Sequence, residues 1–350
     1  MAEKFECVRL VKCNGLDLNL FQFDYDLTFA AFFLNADKTV YARYGTRTSL
    51  DADKDVDIRG LAETMKAVLQ LHRQYPSNRD VLAGKQPLKL EVNRPEDYSA
   101  LQSYKPELDY NGPVSKGCIH CHQVRDSQRL EYRNAGKPMP LKLMFPYPRI
   151  GSVGFDLDPS TRSTVSKTIQ DTSMYSGGPK VGDEIVMANG QVICSQADLA
   201  WVVHNLEPRQ YLKFEVLRDG QPDRVNITIS SNWRQSTDIS WRPTSWDLRR
   251  MATGGLSFQV VGDVEKAKLN IHRQKMALRI SHVGQYGQHA RAKRAGFKKG
   301  DVVTSFDGQN DLMTESQVME YAVQSKKPGD VVKIEFLRNG RKQSFPLRIQ

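Results

Sequence analysis

An internal repeat constrains this chain more than any other feature. The segment GPKVGDEIVMANGQ, starting at Gly178, matches GFKKGDVVTSFDGQ, starting at Gly296; both read G-x-K-x-G-D, a short apolar strand, then Asn or Asp followed by Gly-Gln. Further on, KFEVLRDG from Lys213 matches KIEFLRNG from Lys333. The offset moves only from 118 (296 − 178) to 120 (333 − 213), which marks a duplicated unit. Between these markers each copy carries a helix with a start signal: Ser195 with Asp198 opening ADLAWVVHNL, and Thr314 with Gln317 as a capping box before VMEYAVQ. The pattern predicts strand, Gly turn, helix, strand, Gly turn, strand, twice over.

These phrases in this order resemble the PDZ domain, in the circularly permuted form of HtrA-type envelope proteases, where G-x-x-x-G-D-x-I precedes the strand feeding the peptide-binding helix. The resemblance implies that an extended C-terminal or internal peptide lies between a strand and that helix, with backbone amides of a Gly-containing loop receiving the carboxylate. In the first copy, Ser152-Val153-Gly154-Phe155 looks like that loop, followed by the strand FDLD, and Leu199 and Val203 stand one turn apart as the other wall. Peptide contacts are therefore expected at Val153, Gly154, Phe155, Leu199 and Val203. In the second copy the position of Gly154 is read as Ala277 in KMALRISHV, where a β-carbon hinders a tight amide loop. GGLSF, Gly254 to Phe258, looks like an alternative loop that lies too far upstream, so the second copy is expected to bind internal peptides or to be structural. A protease is not expected, because the chain holds no G-x-S-x-G turn and GSVG at Gly151 is one residue too tight.

The first eighty residues read as another unit. FECVRLVK and FAAFFLN are strand candidates, Asn35 to Lys38 turns the chain, and TVYARYG returns as a strand. From Ile58 to Tyr75, helical spacing puts Ile58, Leu61, Met65, Val68, Leu69 and Leu71 on one broad face. This order resembles the C-terminal half of the thioredoxin fold, with Thr28 roughly where that fold places a cis-proline. The resemblance implies an earlier strand and a C-x-x-C helix upstream of Met1, and hence either an N-terminal truncation or a redox-inactive remnant. Cys7 and Cys13 do not replace that pair, since six residues of extended strand exceed disulfide reach.

GCIHCHQV, residues 117 to 124, has the C-x-x-C-H spacing of covalent haem attachment and resembles the haem box of small cytochromes c. The resemblance implies haem c held by thioethers at Cys118 and Cys121, His122 on the iron, and Met144 as the second axial ligand. A zinc clip using Cys118, Cys121 and His120 or His122, and a plain dithiol pair, stay open as alternatives. The other cysteines, Cys7, Cys13 and Cys194, stand alone in the sequence.

The net charge of +10 is unevenly spread: residues 241 to 350 carry 20 basic and 10 acidic side chains. A cluster such as Arg291, Lys293, Arg294, Lys298 and Lys299 suits an anionic membrane surface, whereas nucleic acid is not expected because no aromatic residues interleave. No run of about eighteen apolar residues occurs, and MAEKFECVRL lacks the order of a secretory signal. Trp233, Trp241 and Trp246 sit between the copies, where indoles are expected to anchor a linker.

Taken with FQFDYDLTFAAFFLNADKTVYARYG and TDISWRPTSW, these features resemble a bacterial envelope family of thioredoxin-like/PDZ domain-containing proteins, some of them selenoproteins. The expected architecture is an α+β multidomain chain: a partial thioredoxin-like domain at 1–80, a C-x-x-C-H segment at 81–145, a first PDZ-like β-sandwich or barrel at 146–232, and at 233–350 a Trp-rich linker (233–253) with a second one. The expected function is a periplasmic redox scaffold coupling a thioredoxin-like or haem c centre, with a redox partner, to recognition of peptides or protein C-termini by the first PDZ-like copy. The alternative is a non-enzymatic PDZ adaptor whose C-x-x-C-H is a metal clip or structural dithiol.

Overall fold

The structure, a computed structural model, describes residues 1–51, 53–169, 177–207, 211–229 and 232–350. The chain divides into two compact units, one of residues 1–127 and 145–237, the other of residues 128–144 and 238–350.

The first unit opens with FECVRLVK, which forms no strand: Val8 and Val11 are 83% and 74% exposed. The expected hairpin follows, β1 (Ala31–Leu34) antiparallel to β2 (Val40–Tyr44), with the turn closed by Asn35 and by Lys38 at positive φ. Helix α1 (Ile58–Gln74) is N-capped by Asp57 and lays Ala67, Val68 and Leu71 against Tyr41 and Ala42 of β2, while Ile58 is exposed. The expected thioredoxin-like sheet is not built. Among the described residues this sheet stops at two strands, and its core is completed by Leu82 of α2 (Arg79–Ala83) and by Cys194 from the first repeat copy. Strands that would cover the face are replaced by side chains from elsewhere in the unit. The chain continues through α3 (Val114–Gly117), α4 (Cys121–Asn134) and α5 (Leu141–Met144).

The first repeat copy comprises the hairpin β3 (Phe155–Leu157) and β4 (Val165–Thr168), then β5 (Glu184–Ala188), β6 (Gln191–Val192), α6 (Gln196–His204), β7 (Tyr211–Arg218) and β8 (Gln221–Thr228). The last four strands form a sheet in the order β6-β5-β7-β8, joined to β4 where Val165 N donates to Asp183 O and Gly182 N to Val165 O. Alternation puts Leu212, Phe214 and Val216 of β7 inside, against Leu199, Val202 and Val203 of α6. The helix starts as its sequence signals: Ser195 Oγ accepts from Asp198 N at 3.1 Å.

The second unit contains α7 (Ser245–Thr253), β9 (Leu256–Val260), α8 (Asp263–Lys268), β10 (Leu278–Val283), α9 (Arg291–Arg294), β11 (Val302–Phe306), α10 (Glu315–Ser325), β12 (Val331–Arg338) and β13 (Arg341–Arg348). Its sheet runs β13-β12-β11-β10-β9, and the Thr314–Gln317 capping box opens α10.

The repeated phrase has a structural cause. In each copy the Asp of G-D is nearly fully buried and chelated by the Arg of the LR(D/N)G turn. Arg218 binds Asp183 through Nε (2.9 Å) and Nη2 (2.8 Å), and Arg338 binds Asp301 through Nε (2.7 Å) and Nη2 (2.6 Å). The backbone N–H of the phrase's Lys, Lys180 or Lys298, donates to the same carboxylate. The two markers read separately in the sequence are therefore the two halves of one ion pair that ties a turn to the sheet.

Candidate peptide-binding grooves

The C-x-x-C-H box folds into a small core instead of a cofactor pocket. Asn14 accepts from Ile119 N and donates to Gly117 O, and Cys13 N donates to Ile119 O, so the box is strapped to an N-terminal turn 105 residues away in sequence. Ile119 and Val124 are fully buried there beside Tyr98 and Leu101. Cys118 Sγ bonds Val114 O at 3.2 Å, and Cys121 Sγ faces Cys13 Sγ at 3.4 Å. His122 is exposed and stacks on His120, while Met144 is fully buried in the other compact unit. Among the described residues, no group of three His, Cys, Asp or Glu side chains can hold a metal ion. The assignment of Cys118, Cys121, His122 and Met144 to haem c is thus corrected, and the zinc alternative with it.

The two copies can be placed in register from their strand pairing. Leu157 pairs with Val165 in β3–β4 and Phe258 pairs with Ile280 in β9–β10, while Val165 N and Ile280 N donate to Asp183 O and Asp301 O in turn. Phe155 therefore matches Leu256, and Gly154 (φ 104°) matches Gly255 (φ 93°). The loop of the second copy is GGLSF, and the reading of Ala277 as its counterpart is wrong. An insertion hid it: Phe258 and Ile280 are 22 positions apart (280 − 258) where Leu157 and Val165 are 8 apart (165 − 157), and α8 fills the difference. Gly255 is required there twice over, by its positive φ and because a β-carbon would lie 2.0 Å from His289 O.

In the second copy the site where a peptide strand would add is filled by the chain itself. Strand β9 is the edge of its sheet, and α7 packs against both β9 and α10. Phe258 N donates to Glu315 Oε1 (2.8 Å), Thr253 Oγ1 donates to Leu256 O (3.0 Å), and Gly255 N donates to Arg249 O (3.0 Å). Glu315 is itself held by Arg249, Nε to Oε1 at 2.9 Å and Nη2 to Oε2 at 2.7 Å, with both side chains buried. Leu248 and Met251 of α7, and Val318, Met319 and Ala322 of α10, have no exposed surface. The loop amides thus cap the C-terminus of a helix, whose carbonyl end repels a carboxylate.

In the first copy, Val153, Phe155, Leu199 and Val203 are brought together, all fully buried in one core cluster, and Gly154 is buried in the loop between them. The opening lies one helix face over. A small cavity of about 30 Å³, open to solvent, is lined by Gln196, Ala197 and Ala200 of α6, by residues 147–150, and by the β1–β2 hairpin. Gln196 stands first after its helix cap, as Glu315 does in α10, so the cavity sits where Glu315 and α7 close the second copy. Arg43 of β2 also lines it. Its backbone is pinned to the start of α6, N donating to Asp198 Oδ1 (3.0 Å) and O accepting from Ser195 Oγ (2.5 Å), and Asp198 pairs on its far side with the buried Lys85 at 2.5 Å. No local signal marks Arg43, whose partners Ser195, Asp198 and Trp201 lie more than 150 residues away.

The PDZ domain family model matches residues 151–229 and 288–349. The chain is 27% identical over 190 residues to a protein named probable periplasmic serine endoprotease DegP-like of Pseudomonas savastanoi pv. phaseolicola, covering 53% of this chain and 37% of that one. A protein of the same name from Pseudomonas fluorescens is 27% identical over 187 residues, with the same coverage. The chain thus spans little more than a third of the length of these relatives. Among solved structures, HtrA-type protease AlgW with decapeptide is similar at 13% identity, covering 41% of this chain and 49% of that one with a TM-score of 0.25. The chain carries two stretches that match the PDZ domain, with similarity to DegP-like relatives, on a mixed α/β multidomain framework, and the periplasmic location expected from the sequence agrees with its relatives. The redox reading is overturned: relatives that match are named as proteases, and the residues assigned to haem have other partners.

Proposed function

We propose that this chain is a periplasmic peptide-recognition module in which the first PDZ domain receives a peptide and the second is closed by its own α7. One observation carries the reading: at the same place in the two copies, the first holds an open cavity beside α6 and the second holds Thr253 and Glu315, the latter fixed by Arg249, bonded to the edge strand. Serine endoprotease activity belongs to the names of the relatives. What passes to this chain is the peptide-binding chemistry of the PDZ domains, with the loop at Val153, Gly154 and Phe155 shaping the end of the groove and Leu199 and Val203 supporting α6 from the core. This retains the adaptor reading, with the cysteines structural.

Ala200 lines the cavity and is only partly buried, so it gives a clean test. Ala200→Glu fills the opening and puts a carboxylate where the end of an incoming peptide would lie, competing for the same cavity. The variant is expected to keep the melting temperature of the parent within about 2 °C and to lose about tenfold or more in affinity for a peptide ending in a free apolar residue, a loss of about 1.4 kcal/mol or more. Unchanged affinity by isothermal titration calorimetry defeats the proposed groove.

A further inference from the structure

We propose that Arg43, from the N-terminal hairpin, is the carboxylate receptor of the first domain's cavity, and that the ligand is a carboxylate borne on an apolar group, supplied by the C-terminal residue of a peptide. This rests on the peptide-binding reading above and adds a residue that lies outside the PDZ repeat.

Arg43 is 3% exposed, and among the described residues neither Nη1 nor Nη2, both buried, has a hydrogen-bond partner. A buried guanidinium with an open fork is costly unless an anion completes it. The rest of the side chain is fixed: Nε donates to Gln22 O at 3.2 Å, the guanidinium lies 4.0 Å over the Trp201 ring, and Phe32 stands 5.4 Å away. The planar fork is therefore held ready for the two oxygens of a carboxylate. The other charged groups lining the cavity are Asp24, Arg47 and Arg149. Arg149 is paired with Asp156, and Arg47 donates to Ser49 O, Leu50 O and Asp26 O, so among the described residues the Arg43 fork is the cation of this wall that lacks a hydrogen-bonded partner, with Asp24 the one carboxylate beside it. Leu27, Ala31, Ile150, Ala197 and Ala200 supply apolar walls, which suit an alkyl side chain next to the carboxylate and not a hydrated inorganic anion.

The test uses the full chain and three probes in calorimetry: a decapeptide ending in valine with a free carboxylate, the same peptide amidated, and hexanoate. The parent is expected to prefer the free acid about tenfold or more over the amide. Arg43→Gln is expected to lower free-acid affinity far more than amide affinity and so abolish that preference, and Arg43→Lys, which keeps the charge without the fork, to fall between. Should Arg43→Gln unfold, as loss of the Trp201 stack allows, Arg43→Lys decides. Preference retained in both variants overturns the role of Arg43 and leaves the peptide reading standing. Hexanoate binding that needs Arg43, with neither peptide bound, keeps the carboxylate site and rejects the peptide as its source. No binding of any probe overturns both.

Discussion

At the scale of the residue, Cys121 shows how far a local motif can mislead. C-x-x-C-H is legible in eight letters, yet the thiol that meets Cys121 is Cys13, and no spacing rule connects positions 108 apart. The Cys13 S–H donates to Cys121, and this hydrogen bond outweighs burial to hold the Cys121 thiol down to about 7. The same contact, with burial, pushes Cys13 well above the usual thiol range. Alkylation follows thiolate fraction. Labelling of Cys121 by iodoacetamide in the native chain, read by peptide mass mapping, should therefore reach half its maximal rate near pH 7, against about 8.5 for an ordinary cysteine. Cys13→Ala removes the donor and should move that midpoint upward; a midpoint unmoved by the substitution would mean that Cys13 does not tune its neighbour. Arg43 was illegible for the same reason as Cys13. Its cavity, its stack on Trp201 and its bond to Asp198 all join positions remote in sequence.

Elements were more readable, because their signals are local. The hairpin, α1, both repeat helices and their caps follow from periodicity and capping residues within a few positions of each other. FECVRLVK failed because apolar content without a partner strand or a covered face does not make a strand. In the second copy a match by local phrase fails because it assumes constant spacing, and α8 breaks that spacing between β9 and β10. The G-D phrase was found as a pattern while its purpose, the ion pair to the next Arg turn, waited for the fold. For Asp183, burial pushes the carboxyl up, and the Arg218 hydrogen bonds, the Lys180 N–H and the charges of Arg218 and Lys180 outweigh it, leaving it below the usual carboxylate range. A carboxyl lowered on folding stabilises the fold above its unfolded value, about 3.9, and that contribution is lost as pH falls through the folded value. Asp183→Asn should therefore cost about 1–3 kcal/mol at pH 7 in urea titrations, with the gap between parent and variant closing as pH drops below about 4. A gap that stays constant from pH 7 to pH 3 would show that the charge of Asp183 is not what holds the turn.

For the whole molecule, duplication has produced two copies of one framework with different fates. Both keep the buried Asp–Arg pair, the helix cap and the positive-φ glycine before the edge strand. What differs is the chain just upstream of each loop. In the first copy it is residues 147–150, which leave a cavity; in the second it is α7, a two-and-a-half-turn helix whose Arg249 locks Glu315 across the groove. Opening the second groove exposes the apolar faces of Leu248 and Met251 and breaks a buried, doubly bonded Arg–Glu pair. Breaking one such buried pair costs about 3–5 kcal/mol, and full exposure of each apolar side chain about 1.5–3 kcal/mol more. A peptide strand of micromolar affinity gains about 8 kcal/mol in all, so most of it would be consumed in displacing α7. The full chain should accordingly bind one C-terminal peptide, with calorimetric stoichiometry near one peptide per chain, and Ala200→Glu in the first domain should remove that single event. Two equivalent events per chain, one of them surviving Ala200→Glu, would place a working groove in the second domain and show that α7 yields to the peptide.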